Sequence, residues 1–344
     1  MSEKCLLGPA TAEQPLDNIA TKSTTDSSDS TDLFQMETSL PARVILAIWS
    51  LTVMTFCVFG NLFVLLSSLR KKSIKLDRVS VTIIRNIALV DIGFSVSIGL
   101  TLVSIIHNSW PFGHLICVIS NYWSLYFGIS EICLICSLNL SKLIILLNPL
   151  RAKSRKKIMG VFISSAMWII PLFNVIPNIF LGRLVEFRLS FFRCEGYFEG
   201  QFFELMPLLS VVLFMLVPMM LVAVGIVWLL LYVRKVCGLH RQGIVTILGI
   251  STCYFLSFLP WGLFYILRGP LNLGSNIYVA VYYYRFATFA TFTNFAANPI
   301  IYYVSLKSFR EYSISTGQLL RSWMTERFSS VAVMIHPRFE SHAA

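Results

Sequence analysis

Four stretches of this chain contain no charged residue and are long enough to cross a bilayer as a helix. They are Val44–Leu69, Ile158–Leu181, Leu205–Val233 and Gln242–Leu267. A membrane-spanning helix needs about 20 consecutive apolar residues. Soluble domains carry about 25% charged residues, whereas this chain of 344 residues is 13% charged and 56% hydrophobic. The sequence therefore predicts an integral membrane protein and excludes an ordinary soluble domain.

Seven candidate spans follow a polar N-terminal tail, which has no apolar segment and is expected to be disordered. In chain order, the first to seventh spans are Val44–Leu69, Val79–His107, His114–Leu147, Ile158–Leu181, Phe203–Val233, Gln242–Leu267 and Asn276–Val304. Asp91, Glu131 and Arg285 interrupt the second, third and seventh spans, and charges inside a membrane often mark function. The pattern predicts an all-α membrane protein built as a seven-transmembrane helix bundle.

The distribution of charge predicts how the chain is oriented. The first, third and fifth loops between the spans are strongly basic and contain one acid, Asp77, whereas the N-terminal tail and the loop after the fourth span hold most of the acidic residues. Basic loops stay in the cytoplasm, so the N-terminus is expected outside and the C-terminus inside. The net charge of +11 is thus a topology signal, and nucleic-acid binding is not expected.

The cysteines suggest one disulfide bond. Five of the eight cysteines lie within spans or on the cytoplasmic side, where the thiol form is expected. Of the other three, Cys5 lies in the tail, while Cys117 and Cys194 lie at the outer end of the third span and in the loop after the fourth. We expect a Cys117–Cys194 disulfide that holds this loop over the mouth of the bundle.

The third span carries one polar face. Cys117, Ser124, Glu131 and Lys142 are separated by seven, seven and eleven residues, so they point within about 20° of the same direction. This stripe should face the bundle interior, because an acid or a lysine in lipid costs about 3 kcal/mol or more. Asn139 lies off the stripe. The alternative interpretation is therefore a helix with scattered polar residues and no functional face.

Short motifs occur in a fixed order along the spans. They are Gly60-Asn61, Asn86-Ile87-Ala88-Leu89-Val90-Asp91, Trp110-Pro111-Phe112-Gly113, Trp168, Pro218, Pro260 and Asn298-Pro299-Ile300-Ile301-Tyr302. With Cys117 and Cys194, this order resembles the rhodopsin-like (class A) G-protein-coupled receptors over residues 44–312. The resemblance implies a divergent receptor of the plasma membrane that binds an extracellular ligand and signals to a heterotrimeric G protein. No Ser/His/Asp set, metal-ligand cluster or phosphate loop points to an enzyme.

The resemblance also implies a division of the chain. Phe309-Arg310 resembles the start of the family's short amphipathic helix, which lies against membrane lipids. We expect a disordered extracellular tail, the receptor domain, the amphipathic helix and a cytoplasmic tail. Their expected bounds are 1–40, 41–304, 305–316 and 317–344.

The cytoplasmic end departs from the family's motifs. Ser141-Lys142-Leu143 stands where Asp-Arg-Tyr is usual, and neither Ser141 nor His240 offers a carboxylate to Lys142. We therefore expect Lys142 to lack an acidic partner and the receptor to signal without ligand. The competing interpretation is that losing arginine's planar fork abolishes coupling and leaves a receptor-like decoy or trafficking partner. The implied coupling residues are Ser141, Lys142, Pro149, Asn298, Pro299 and Tyr302.

Two residues in the expected outer half of the bundle argue against two classes of ligand. Ser124 stands where amine receptors carry an aspartate, and Phe292 stands where opsins carry the retinal lysine, which argues against both ligands. Aromatic residues predominate around the expected pocket, although packing or interfacial roles are the alternative for each. The candidate ligand-binding residues are Tyr122, Trp123, Ser124, Tyr126, Phe258, Trp261, Tyr265, Phe289 and Phe292.

Asp91, Glu131, Asn294 and Asn298 predict a polar pocket at mid-membrane. In the family, the matching aspartate and asparagines help to hold sodium, whereas a serine is usual at the position of Glu131. Two carboxylates in a low dielectric cannot both stay charged without a cation. We therefore expect a sodium ion or a proton here, and no other cofactor. A transporter or channel that uses Asp91 and Glu131 as an ion path is the third functional alternative.

Overall fold

The computed structural model describes residues 40–69, 76–147, 160, 162–181, 212–234, 238–267 and 277–335. Within these ranges the chain is nearly all helical and contains no strand. The chain divides into two units between Ile45 and Leu46. Residues 40–45 of the first unit are helical, and the second unit contains the bundle. The predicted all-α membrane class is confirmed.

Helices are found at all seven predicted spans. The first span comprises Leu40–Thr55, a π-helical turn Phe56–Gly60 and Asn61–Leu69; the second is Arg78–His107 and the third Gly113–Leu147. The fourth is helical over 162–169 and Leu172–Leu181; the fifth comprises the π-helical Val212–Leu216 and Val217–Val233; the sixth is Gly238–Leu267 and the seventh Ile277–Ser305. Among the residues that the structure describes, five helices are long and apolar enough to cross a membrane: Arg43–Leu69, Arg78–His107, Gly113–Ile145, Val212–Val233 and Arg241–Leu263.

The two ends of the second span follow from local sequence. Asp77 caps the N-terminus, since its carboxylate accepts from the Ser80 backbone N–H at 3.0 Å and from the Ser80 hydroxyl at 2.8 Å. At the other end Asn108 adopts a φ of 54°, and its N–H donates to the Ile105 carbonyl. Asparagine tolerates this left-handed conformation better than most residues, so the helix ends there. The capping also fixes the position of the Asp77 carboxylate at the start of the second span.

The third span is the centre of the bundle. It contacts the second, fourth, fifth and sixth spans, and 56% of its apolar stretch is buried, against 17% for the fifth span. Cys117, Glu131 and Lys142 are buried and Ser124 is half-buried, so the polar stripe faces the bundle interior as predicted. Asn139, off the stripe, is also buried because the third span has neighbours on several sides.

The helix after the seventh span is longer than expected. It covers Lys307–Ile335, whereas the expected amphipathic helix ends at residue 316. One glycine, Gly317, costs about 1 kcal/mol in a helix and does not end it, and no proline occurs before Pro337. The helix begins against the bundle, because Phe309 is buried and its ring contacts that of Phe63.

Candidate functional site

The second, third and seventh spans meet at a buried polar centre. The Asn294 side-chain amide donates to Glu131 Oε1 at 2.6 Å, and the Asn298 amide donates to Asp91 Oδ2 at 2.8 Å. All four side chains are fully buried. The four residues of the predicted pocket are therefore paired as two amide–carboxylate contacts that join the three spans.

This centre has a surplus of hydrogen-bond acceptors. Asp91 Oδ1, Glu131 Oε2, Asn294 Oδ1 and Asn298 Oδ1 are buried and have no hydrogen-bond partner among the described residues. Buried acceptors are costly unless a proton donor, a water or a cation satisfies them. Carboxylate and amide oxygens are also the ligands that hard cations prefer. The donor set fits a small cation, and a proton on one carboxyl would supply one of the missing donors.

Asn61 ties the first span to the seventh next to this centre. Its side-chain amide donates to the carbonyls of Cys57 and Phe295, both at 3.0 Å. Asn61 is fully buried, and it directly follows the π-helical turn of the first span. The asparagine of the Gly60-Asn61 motif is thus a structural tie between two spans.

Aromatic rings form a continuous series inside the bundle. Phe289 contacts Phe292 at a centroid distance of 6.1 Å, and Phe292 contacts Phe94 at 5.9 Å. Phe94 stacks on Phe295 at 3.7 Å, and Phe295 contacts Phe258 at 6.4 Å. Three residues of the predicted ligand-binding set, Phe258, Phe289 and Phe292, therefore belong to one interior series.

Other members of the predicted ligand-binding set make different contacts. The Trp123 indole N–H donates to the Gly93 carbonyl at 2.8 Å, and Trp123 is 39% exposed, which assigns it to packing between the second and third spans. The Tyr126 hydroxyl donates to the Trp168 carbonyl, toward the fourth span. The Ser124 hydroxyl lies 2.8 Å from that of Ser97. Tyr122 and Trp261 are partly buried, and the Tyr265 side chain lies outside the described residues.

The expectation that Lys142 has no acidic partner is wrong. Lys142 Nζ lies 3.4 Å from Asp77 Oδ2, and the two side chains are 4% and 14% exposed. The acid comes from the start of the second span, where helix capping holds it, rather than from residue 141 or the sixth span. Ser141 is buried instead and donates to the Leu138 carbonyl of its own helix.

The positive charge on Lys142 affects the pKa of the Asp77 carboxyl. Burial alone raises the pKa of the Asp77 carboxyl, but the Lys142 ammonium and the two Ser80 donors outweigh it and lower the pKa below its usual value. Asp77 therefore stays ionised at physiological pH. The pair is a buried ion pair with additional hydrogen bonds.

The coupling residues implied by the resemblance are largely covered. A Cβ placed on Gly243 of the sixth span would lie 3.5 Å from Lys142 Nζ, so the sixth span covers the ammonium group. Tyr302 is fully buried and its hydroxyl has no partner among the described residues. Asn298 belongs to the polar centre, Pro299 lies within the seventh-span helix, and Pro149 is outside the described residues.

The structure leaves the predicted disulfide pairing as a prediction. Cys117 is buried and disulfide-bonded. Cys194, its expected partner, lies outside the described residues.

Two contacts were missed from the sequence. Asp77 could have been identified, because it is the one acid in the basic first, third and fifth loops and is followed three residues later by Ser80. The hydrogen bond between Asn139 of the third span and Ser251 of the sixth, 2.8 Å long, had no comparable signal. It depends on the relative rotation of two helices, which the sequence does not show.

Comparisons with known proteins agree with the motif order. Residues 60–302 match the family described as 7 transmembrane receptor (rhodopsin family). The C5a anaphylatoxin chemotactic receptor 1 of Rattus norvegicus is 22% identical over 246 residues, which cover 69% of this chain and 68% of the relative. A putative purinoceptor of Homo sapiens is 22% identical over 241 residues, which cover 66% of this chain and 71% of the relative.

Proposed function

The chain belongs to the rhodopsin family of seven-transmembrane receptors, and from that premise we propose that an extracellular ligand bound between its outer helix ends controls G-protein coupling through Lys142 and Tyr302. Family membership makes the protein a multi-pass membrane receptor that signals through G proteins and not an enzyme. The proposal adds the ligand site, the coupling residues and the orientation.

The burial of Lys142 and Tyr302 supports the coupling proposal. Lys142 and Tyr302 occupy the coupling positions of the family's motifs, yet they are 4% and 0% exposed. A cytoplasmic partner can reach them only after the inner helix ends rearrange. Residues that are covered at rest and uncovered by a discrete rearrangement are what a two-state signalling receptor requires.

The ligand site is proposed around the aromatic series from Phe289 to Phe258. Ligand pockets are mostly apolar and aromatic with a few polar groups, and here the hydroxyls of Ser97 and Ser124 supply such groups. The two relatives are named for an anaphylatoxin and for purines, which are different ligand classes. The C5a anaphylatoxin and purine compounds are therefore the first probes, and neither is favoured by the contacts of the series.

A sodium ion or a proton is proposed for the polar centre. The support is the surplus of four buried oxygens on Asp91, Glu131, Asn294 and Asn298. A bound cation would neutralise charge there and connect the second, third and seventh spans. A proton on either carboxyl would supply one of the missing donors.

The orientation proposal places the N-terminus outside and the C-terminus in the cytoplasm of a plasma-membrane receptor. The support is the concentration of basic residues in the first, third and fifth loops. Epitope tags at the two ends, stained on intact and on permeabilised cells, test this directly. Staining of the C-terminal tag on intact cells would contradict it.

Guanine-nucleotide exchange tests the coupling proposal. Membranes with and without the receptor are assayed on a panel of G proteins, with Lys142→Ala as the matched variant at equal surface expression. We expect exchange that depends on the receptor and is lost in Lys142→Ala. Absence of exchange across the panel, in the presence of a ligand found by thermal shift of the purified receptor, would instead support the decoy or trafficking alternative.

A further inference from the structure

We infer that the hydrogen bond between Asn139 and Ser251 is the resting latch that holds the sixth span against the third. The inference rests on the proposed coupling function, because it assigns a positioning role to residues that touch neither a ligand nor a G protein. It also explains what holds the sixth span at its inner end, since the acid that pairs with Lys142 comes from the second span.

The latch is a buried polar contact between two spans. Asn139 Nδ2 donates to Ser251 Oγ at 2.8 Å and to the Ile135 carbonyl of its own helix at 2.9 Å. Asn139 is 6% exposed and Ser251 is fully buried. The bond to Ile135 orients the amide, so its second N–H is directed at the sixth span.

The fifth span closes around the same amide. A Cβ placed on Gly225 would lie 2.9 Å from Asn139 Oδ1, so only a glycine allows the fifth span to approach the amide this closely. Asn139 Oδ1 is buried and has no hydrogen-bond partner among the described atoms. The side chain is therefore held by contacts to two neighbouring spans and has little freedom to follow a moving partner.

The sixth span must move for Lys142 to become accessible. Gly243, at the inner end of the same helix that carries Ser251, lies against the ammonium group, since a Cβ placed on it would be 3.5 Å from Lys142 Nζ. Moving this helix end outward lengthens the distance between Asn139 and Ser251. The closed arrangement therefore keeps this hydrogen bond, and the open arrangement loses it.

The ion pair of Lys142 cannot serve as this latch. Its acid, Asp77, caps the second span, so the pair joins the third span to the second and not to the sixth. Thr246 of the sixth span is paired with Ser305 of the seventh at 2.8 Å, which links those two helices to each other. The Asn139–Ser251 contact links the moving helix to the central one.

Two substitutions at Ser251 distinguish the effect of losing its hydroxyl group from the effect of adding side-chain volume. Ser251→Val and Ser251→Thr add the same bulk, but only threonine keeps the hydroxyl. Loss of one hydrogen bond of ordinary strength should raise the open population about fivefold in Ser251→Val and leave Ser251→Thr near the native value. Ser137→Ala is the control, because the Ser137 hydroxyl donates to the Cys133 carbonyl of its own helix and not to another span among the described residues.

The readout is the distance between the inner ends of the third and sixth spans in the full-length receptor in nanodiscs. Spin labels on unnatural residues at positions 147 and 241, both exposed, report that distance. A larger share of long distances in Ser251→Val, with Ser251→Thr and Ser137→Ala native-like, is expected. Equal behaviour of Val and Thr, or no change in either, would overturn the latch.

Nucleotide exchange on the same variants distinguishes failure of the latch from failure of the proposed function. With the latch and coupling both present, basal exchange should rise in Ser251→Val in proportion to the long-distance population. A change in distance without any exchange would leave the latch standing and would refute the coupling function on which its biological role depends.

Discussion

At the scale of one residue, Lys142 shows why a buried charge needs a partner of opposite charge. A lysine that is 4% exposed cannot keep its charge at tolerable cost without a nearby anion, and Asp77 supplies one at 3.4 Å. Buried ion pairs add little net stability over apolar residues, but removing one partner leaves an uncompensated charge. The pair therefore predicts a large effect for a single substitution and a smaller one for a double substitution.

Asp77→Asn should destabilise the receptor by about 3 kcal/mol, since it leaves Lys142 buried without an anion while asparagine can still cap the helix. The melting temperature of the purified receptor measures this. The double variant Asp77→Asn with Lys142→Met should recover most of the loss, because no buried charge remains.

Glu311→Gln is the control for that substitution. Glu311 pairs with Lys307 at 3.7 Å on the C-terminal helix, where both side chains are more than half exposed. An exposed pair of this kind contributes about 0–1 kcal/mol, so little change is expected. Equal effects of Asp77→Asn and Glu311→Gln would contradict the buried ion pair.

The pH dependence of stability should follow from the lowered pKa of Asp77. Its pKa in the native state lies below the value of about 3.9 that an unfolded chain has, so the native state favours the ionised form. The stabilisation is fully present above that unfolded value and is lost as pH falls through the lowered native pKa. The difference in melting temperature between the native chain and Asp77→Asn should therefore be constant from about pH 8 to about pH 5 and shrink below about pH 4. A difference that disappears near neutral pH would refute the assignment.

At the scale of helices, the sequence is a good guide to where each element lies and a poor guide to its neighbours. The absence of charge over Val44–Leu69 requires a span, and Asp77 and Asn108 set the ends of the second helix through local chemistry. The contacts of Asn139 and Lys142 depend instead on helix rotation and tilt. These are set by packing among several helices and leave no local signal in the sequence.

For the candidate site too, the sequence predicts where residues lie better than it predicts which residues they contact. The spacing along the third span predicted that Glu131 faces the interior, and the resemblance brought Asp91, Asn294 and Asn298 to the same level. Residue type could not show that Trp123 lies against the second span, because an aromatic side chain suits a pocket, an interface and a lipid-facing surface alike.

The disulfide predicted between Cys117 and Cys194 gives a test at the level of elements. Cys194→Ser should cost about 2–5 kcal/mol and lower surface expression, because it frees the loop after the fourth span from the third. Peptide mapping under non-reducing conditions identifies the bonded pair. Cys5→Ser is the control, since the tail is expected to have no fixed site, and recovery of Cys117 bonded to any cysteine other than Cys194 would contradict the pairing.

At the scale of the whole molecule, the polar centre should make the receptor sensitive to sodium or to pH. Four buried oxygens from three spans have no partner among the described residues; a cation can coordinate several of them and a proton satisfies one. Whichever binds will stabilise the helix arrangement that forms the site. Melting temperature and ligand affinity should therefore change with sodium concentration or between about pH 5 and about pH 8. Glu131→Ser, which restores the residue usual in the family, should weaken the pH response and leave a response to sodium. No response to either agent, with Glu131→Ser equally silent, would remove the site.

Basal signalling depends on both the Lys142–Asp77 ion pair and the arrangement of the helices. The pairing of Lys142 with Asp77 reverses the expectation drawn from the sequence, because the lysine is held in the resting state and the native chain should signal little without ligand. Asp77→Asn should raise basal nucleotide exchange at matched surface expression, about tenfold if about 1.4 kcal/mol of resting-state preference is lost. Asp77→Glu, which keeps the charge, should stay near the native level.

Adding Ser141→Asp to Asp77→Asn provides the deciding comparison. It places a carboxylate at the position where the family usually carries one, and it should lower the raised basal exchange by giving Lys142 a new anion. Lys142→Arg in the native background should keep the pairing with Asp77 and remain quiet. High basal exchange in the native chain, unchanged by Asp77→Asn, would mean that the ion pair does not restrain the lysine. No exchange in any of these variants would mean that coupling itself is absent, and the receptor would then be a binding protein that does not activate G proteins.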